Sequence, residues 1–149
     1  MRPLKSISWT ISLVLGLLLG LSSSMADAVD RLSDGDRQAI RDVIEGQLAA
    51  FRADDASLAF SFAAPAIQDQ FGDASRFVAM VKHGYLPVFR SRQVEFSELL
   101  EVRGKPAQRV VVVGPDNGVF SAYYMMEHQP DGSWRIGAVI LRPIGERAI

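Results

Sequence analysis

The sequence predicts an α+β fold: N-terminal helices packed on a curved antiparallel sheet of about four strands, preceded by a signal peptide. Three observations carry this. Apolar residues recur at helical spacing from Ser33 to about Gly84. Beyond Gly84 they fall in four short runs separated by Gly and Pro. Residues 1–28 have the charge and hydropathy order of an export segment.

The export segment comes first. Arg2 and Lys5 give a positive start, residues 11–21 form an apolar run broken by Ser12, Gly16 and Gly20, and Ser22-Ser23-Ser24 lead to the triplet Ala26-Asp27-Ala28. That is the order of a secretory signal: positive region, apolar region, small-residue cleavage site. The run of about 11 residues is shorter than the roughly 20 that a spanning helix needs. Ile7 and Trp9 would extend it in the alternative reading, an uncleaved anchor. Cleavage is expected after Ala28, with Ala26 the second possible site. The chain then divides into a signal peptide, 1–28, and a single domain, 29–149. No Arg-Arg pair points to a twin-arginine route.

Ser33 followed by Asp36 resembles a capping box with Asp in place of Glu. Ile40, Val43, Ile44, Gln47, Leu48 and Phe51 then share one helical face, and Arg37, Arg41, Asp42, Glu45 and Arg52 lie mostly on the other. This predicts one long amphipathic helix ending near Ala53. Asp54 and Asp55 suit a turn and the N-cap of a second helix with Leu58, Ala59 and Phe62 as its buried stripe. Pro65 interrupts that pattern and starts a short helix to Phe71, stopped by Gly72. Asp73 caps a further helix with Phe77, Met80 and Val81 on its apolar face, closed by Gly84. Tyr85-Leu86-Pro87-Val88-Phe89 reads as an extended connector, since a residue before proline avoids the helical region.

Strands are expected at residues 93–102, 108–113, 119–129 and 133–142. The separators are Arg103-Gly104-Lys105-Pro106, Gly114-Pro115-Asp116-Asn117-Gly118 and Pro130-Asp131-Gly132, all with residues that make reversals. Such short links favour antiparallel hairpins. In the third strand Phe120, Ala122, Tyr124, Met126 and His128 share one face, and Ser121, Tyr123, Met125 and Glu127 share the other. Both faces are largely apolar, which predicts a central strand covered on one side by the helices and on the other by a partner subunit.

Composition excludes several function classes. The chain has no cysteine, so disulfides, thiolate catalysis, zinc–cysteine sites and iron–sulfur clusters are ruled out. Removing residues 1–28 leaves 14 basic and 16 acidic residues, a net charge of −2. That balance argues against a general nucleic-acid or anionic-membrane binder. No second apolar stretch is long enough to span a membrane. No Ser/His/Asp triad, phosphate loop or dinucleotide fingerprint stands at the right spacing. With two histidines there is no His-rich metal site, and no metal or cofactor is expected.

Several segments resemble a known family. Ala39-Ile40-Arg41-Asp42-Val43-Ile44-Glu45-Gly46-Gln47-Leu48-Ala49-Ala50-Phe51 opens in the style of the nuclear transport factor 2-like, or cystatin-like, superfamily. Phe60-Ser61-Phe62-Ala63-Ala64-Pro65-Ala66-Ile67, Phe71-Gly72, the stretch from Met80 to Phe89, and Gln129-Pro130-Asp131-Gly132-Ser133-Trp134-Arg135-Ile136 are similar to the bacterial domain of unknown function 4864 family. The resemblance covers about Asp36 to Leu141. It implies a cystatin-like cone, a sheet wrapped around the long helix. The superfamily includes isomerases, dehydratases, pocket binders and association domains, so fold alone does not choose an activity.

An enzyme on such a cone needs an acid or base with a pKa moved by burial. The catalytic candidates are His83, Tyr85, Tyr124 and His128, with Glu127 beside the last. His83 sits in a last helical turn, where the dipole already favours a cation, and His128 and Glu127 sit at a strand end beside a turn. Asp54-Asp55 suits a turn and cap better than a metal clamp. Phe89, Arg90 and Arg109 are the ligand-binding candidates. The two arginines, with Arg92, would line the cone mouth and hold an anion, or simply form a solvent face. Tyr85 and Phe89 either form a pocket lip or cover the core. The leading expectation is an exported, non-enzymatic domain that binds a small apolar ligand or a protein partner, as a homodimer through the sheet. The alternatives are an isomerase or dehydratase with an acid or base in the cone, and a purely structural association domain.

Overall fold

A computed structural model of the protein describes residues 28–145. The signal-peptide reading of residues 1–28 lies, apart from Ala28, outside them. Five helices precede four strands: α1 Asp34–Arg52, α2 Ala56–Ser61, α3 Pro65–Phe71, α4 Ala74–Gly84, α5 Leu86–Phe89, then β1 Gln93–Val102, β2 Lys105–Val113, β3 Val119–His128 and β4 Trp134–Pro143. The strands form one antiparallel sheet in the order β1-β2-β3-β4.

The capping box forms at the start of α1. Ser33 Oγ accepts from Asp36 N at 3.0 Å, and Asp36 Oδ2 accepts from Ser33 N at 3.0 Å. Trp134 Nε1 also donates to Asp36 Oδ1 at 3.1 Å, which ties this helix end to the start of β4. The α1 stripe then buries Ile40, Ile44, Gln47, Leu48, Ala50 and Phe51. They pack with Val110, Val112, Ala122, Tyr124, Met126 and Ile136 from the inner face of the sheet. Asp55 caps α2 by accepting from Leu58 N at 3.0 Å. Pro65 stands in the first turn of α3, where its missing N–H costs no bond, and Gly72 ends the helix at φ 78°. Residues 62–64 run along the outer edge of β4: Ala64 N donates to Ile136 O at 2.8 Å, and Ile136 N donates to Phe62 O at 2.9 Å.

Three expectations need correction. Residues 85–89 are not an extended connector, because Leu86–Phe89 close into α5. Pro87 falls in the first turn, where no intrahelical donor is needed, and burial of Val88 and Phe89, each 3% exposed, outweighs the local preference before proline. Leu58 does not belong to the buried stripe of α2. It is 46% exposed, and Phe60 packs against the core in its place, because a two-turn helix can turn only one narrow face inward. β2 begins at Lys105 rather than Gln108. Residues 103 and 104 alone make the reversal at φ 52° and 75°, and that left-handed pair matches strand twist in a two-residue hairpin. The third strand is interior to the sheet, between β2 and β4, and its outward Tyr123, Met125 and Glu127 are half-buried.

Candidate functional site

The helices do not fill the space over β4. A cavity of about 380 Å³ lies between α1, the α3–α5 arch and residues 136–139. Its floor is Gln47, Phe51 and Ala63, each no more than 3% exposed. Phe77, Val81 and Val88 form the helical wall, and Ile136 and Val139 the sheet wall. Exposed Gln70 and Ala138, with half-buried Met80 and Tyr85, stand at the mouth. Among the described residues no Asp, Glu, His, Lys or Arg lines it.

A cluster of aromatic rings builds the helical wall. The Phe77 ring sits 5.2 Å from Phe60, 5.8 Å from Phe71 and 6.2 Å from Phe51, and Phe51 in turn sits 5.6 Å from Phe89. Aromatic neighbours at these separations add to the burial of their area. Residues 62–64 hold α3 against β4 by the two backbone bonds described above. At the floor, Gln47 Nε2 donates to Ala59 O at 3.1 Å, and Gln68 Nε2 donates to Phe60 O and Ala63 O at 3.3 and 3.0 Å. Two glutamines thus serve carbonyls in and just beyond α2, where the helical ladder ends.

The candidates read from sequence are dispersed, and Tyr85 alone among them reaches the cavity. His83 is exposed in the last turn of α4. His128 is exposed at the end of β3, stacked on Trp134 at 4.6 Å, with Nε2 3.1 Å from Gly132 O. Tyr124 is fully buried on the inner sheet face and its hydroxyl has no partner among the described residues. Burial holds its phenol well above the ordinary tyrosine range. The Phe89 ring belongs to the core, and the Arg90 guanidinium lies 4.1 Å above it. Arg90 also donates to Phe51 O at 2.6 Å and pairs with Asp54, so it closes the carboxyl end of α1. Arg109 is on the outer sheet face, bonded to Ser121 Oγ at 3.0 Å and to Glu98 at 3.3 Å. Arg90 and Arg109 therefore do not converge on one anion. Asp54 takes the left-handed turn at φ 55° and Asp55 caps α2. Among the described residues no three metal-ligating side chains come together.

A wider groove of about 670 Å³ runs between α1 and β1. Its charges are of both signs and pair locally: Arg41 with Glu45 at 3.2 Å, and Arg52 with Ser91 Oγ at 3.3 Å. The cavity is the better site, because it is concave, apolar and floored by a buried polar group. Sequence reasoning placed Gln47 on the apolar stripe without a role. Its signal was an amide at a buried helical position, where an apolar side chain would pack at lower cost.

The architecture defines the class: an α+β domain in which helices on one face of a four-stranded antiparallel sheet enclose an apolar cavity. The family model described as Domain of unknown function (DUF4864) matches residues 33–148, and the chain belongs to that family. No curated protein and no solved structure matches it. Among the described residues no helix is long and apolar enough to cross a membrane.

Proposed function

We propose that this domain is an exported binding protein of the nuclear transport factor 2-like kind that takes a small apolar ligand into the cavity over β4. The observation that carries this reading is a concave, largely apolar site of about 380 Å³ with a buried floor and an open mouth. That volume falls in the range of small-molecule sites. The isomerase or dehydratase alternative needs an acid or base in the same space, and among the described residues the lining offers only the Tyr85 phenol. Burial of a guest against Phe51, Phe77 and Ile136 needs no such group, since removal of apolar area from water supplies the affinity.

The test is occupancy. A fluorescent apolar probe is expected to bind the wild type and to bind Met80→Trp at least about tenfold more weakly, because the indole fills the mouth. Circular dichroism should be unchanged. Absence of probe binding to the wild type, or equal binding to both proteins, overturns the proposal.

A second reading, self-association through the sheet, is supported by the outer face. Half-buried Leu100 of β1, Tyr123 and Met125 of β3 and Ile140 of β4 lie on that face. Sedimentation of the same samples tests it, and a monomer at every concentration overturns it.

A further inference from the structure

We infer that the guest is a neutral molecule with an apolar body and one hydroxyl group, seated hydroxyl-first on the Gln47 amide. This rests on the cavity reading above and deepens it. Gln47 is the polar side chain of the floor, 3% exposed, on a helix whose other inward residues there are Ile44, Leu48 and Phe51. An amide carries one acceptor oxygen and two donor hydrogens. The bond from Nε2 to Ala59 O at 3.1 Å engages one hydrogen and fixes which way the amide is turned. Oε1 and the second hydrogen keep bonding capacity for a guest.

A hydroxyl suits that remainder, because it donates to Oε1 and accepts from nitrogen. A carboxylate does not: it cannot donate, and among the described residues no Lys, Arg or His lines the cavity to meet its charge. An isolated charge in apolar surroundings is strongly disfavoured. A pure hydrocarbon fits the walls but covers the amide without replacing its hydrogen bonds to water. Size is bounded as well. Scaling from the ~150 Å³ cavity that holds benzene, about 380 Å³ takes a guest of up to roughly fifteen heavy atoms. The polar residues at the mouth, Gln70 and Tyr85, leave the far end of the guest near water.

Isothermal titration of the folded protein with 2-naphthol, naphthalene and 2-naphthoate tests this. The expected order is 2-naphthol tightest, by about 5- to 10-fold over naphthalene, the size of one net hydrogen bond, with 2-naphthoate weakest. Naphthalene is the more apolar of the first two, so hydrophobic transfer alone predicts the reverse order. Gln47→Leu is expected to erase the preference for naphthol while retaining naphthalene. If that variant does not fold, the wild-type ranking decides by itself. Equal binding of naphthol and naphthalene, or tightest binding of naphthoate, overturns the inference and leaves the cavity reading standing. Failure of all three to bind overturns both.

Discussion

Asp36 shows how one side chain is shared between local and tertiary structure. It completes the capping box with Ser33 and accepts from Trp134, ninety-eight positions along the chain. Those bonds, from Ser33 first and then Trp134, hold its carboxyl below the ordinary aspartate range. A depressed native pKa contributes stability above the unfolded value, near 4, and that contribution is lost as pH falls through the native value. Asp36→Asn is therefore expected to lower the urea midpoint at pH 7, and the difference from wild type should shrink steadily below about pH 4. A constant difference from pH 7 to pH 2 would disprove this role. The local half of the arrangement was legible, because Ser33 and Asp36 stand three apart before an apolar helix. The Trp134 half was not, since nothing local relates the two positions. Gln47 was similarly half-legible: its face followed from helical spacing, but its partner, the Ala59 carbonyl, depends on how α2 folds back.

At the scale of elements, helical period and turn residues placed α1, α3 and α4 to within a residue, and all three hairpins lie where Gly, Asn and Pro cluster. The misreadings occur where tertiary contacts decide. α5 forms because Val88 and Phe89 are needed in the core, and Leu58 turns outward because α2 is only six residues long. The approach of α1 to α2 depends on one missing side chain. A Cβ on Gly46 would come 2.6 Å from Phe62 Cζ, and the backbone that carries this ring is bonded to Ile136. Gly46→Ala should gain about 1 kcal/mol of helix propensity but lose more than that to overpacking, which typically costs about 1–3 kcal/mol. A lower urea midpoint is the expected result. A rise would show that Phe62 is free to move aside.

For the whole molecule, an α+β layer arrangement followed from helices first and short strands after. A space enclosed between the layers did not follow, because a cavity is what remains when side chains from α1, α3, α4, α5 and β4 have been placed, and no segment encodes it. Hence the charged and aromatic candidates read from sequence scattered between surface and core, while the cavity drew on unremarkable residues such as Ala63 and Val139. The antiparallel strand order also leaves β1 and β4 as the margins of the sheet.

Those margins bear on solubility, through the contact between residues 62–64 and Ile136. An unprotected strand margin offers backbone groups that another chain can pair with. The two bonds at Ile136 occupy that margin and act as a guard against stacking of copies. Ala64 has φ −62°, a value proline adopts without strain, so Ala64→Pro deletes the N–H donor with little other backbone change. The expected outcome is a protein that still folds but scatters light at a lower temperature than wild type. An unchanged scattering onset would mean that something other than this clasp keeps the molecules apart.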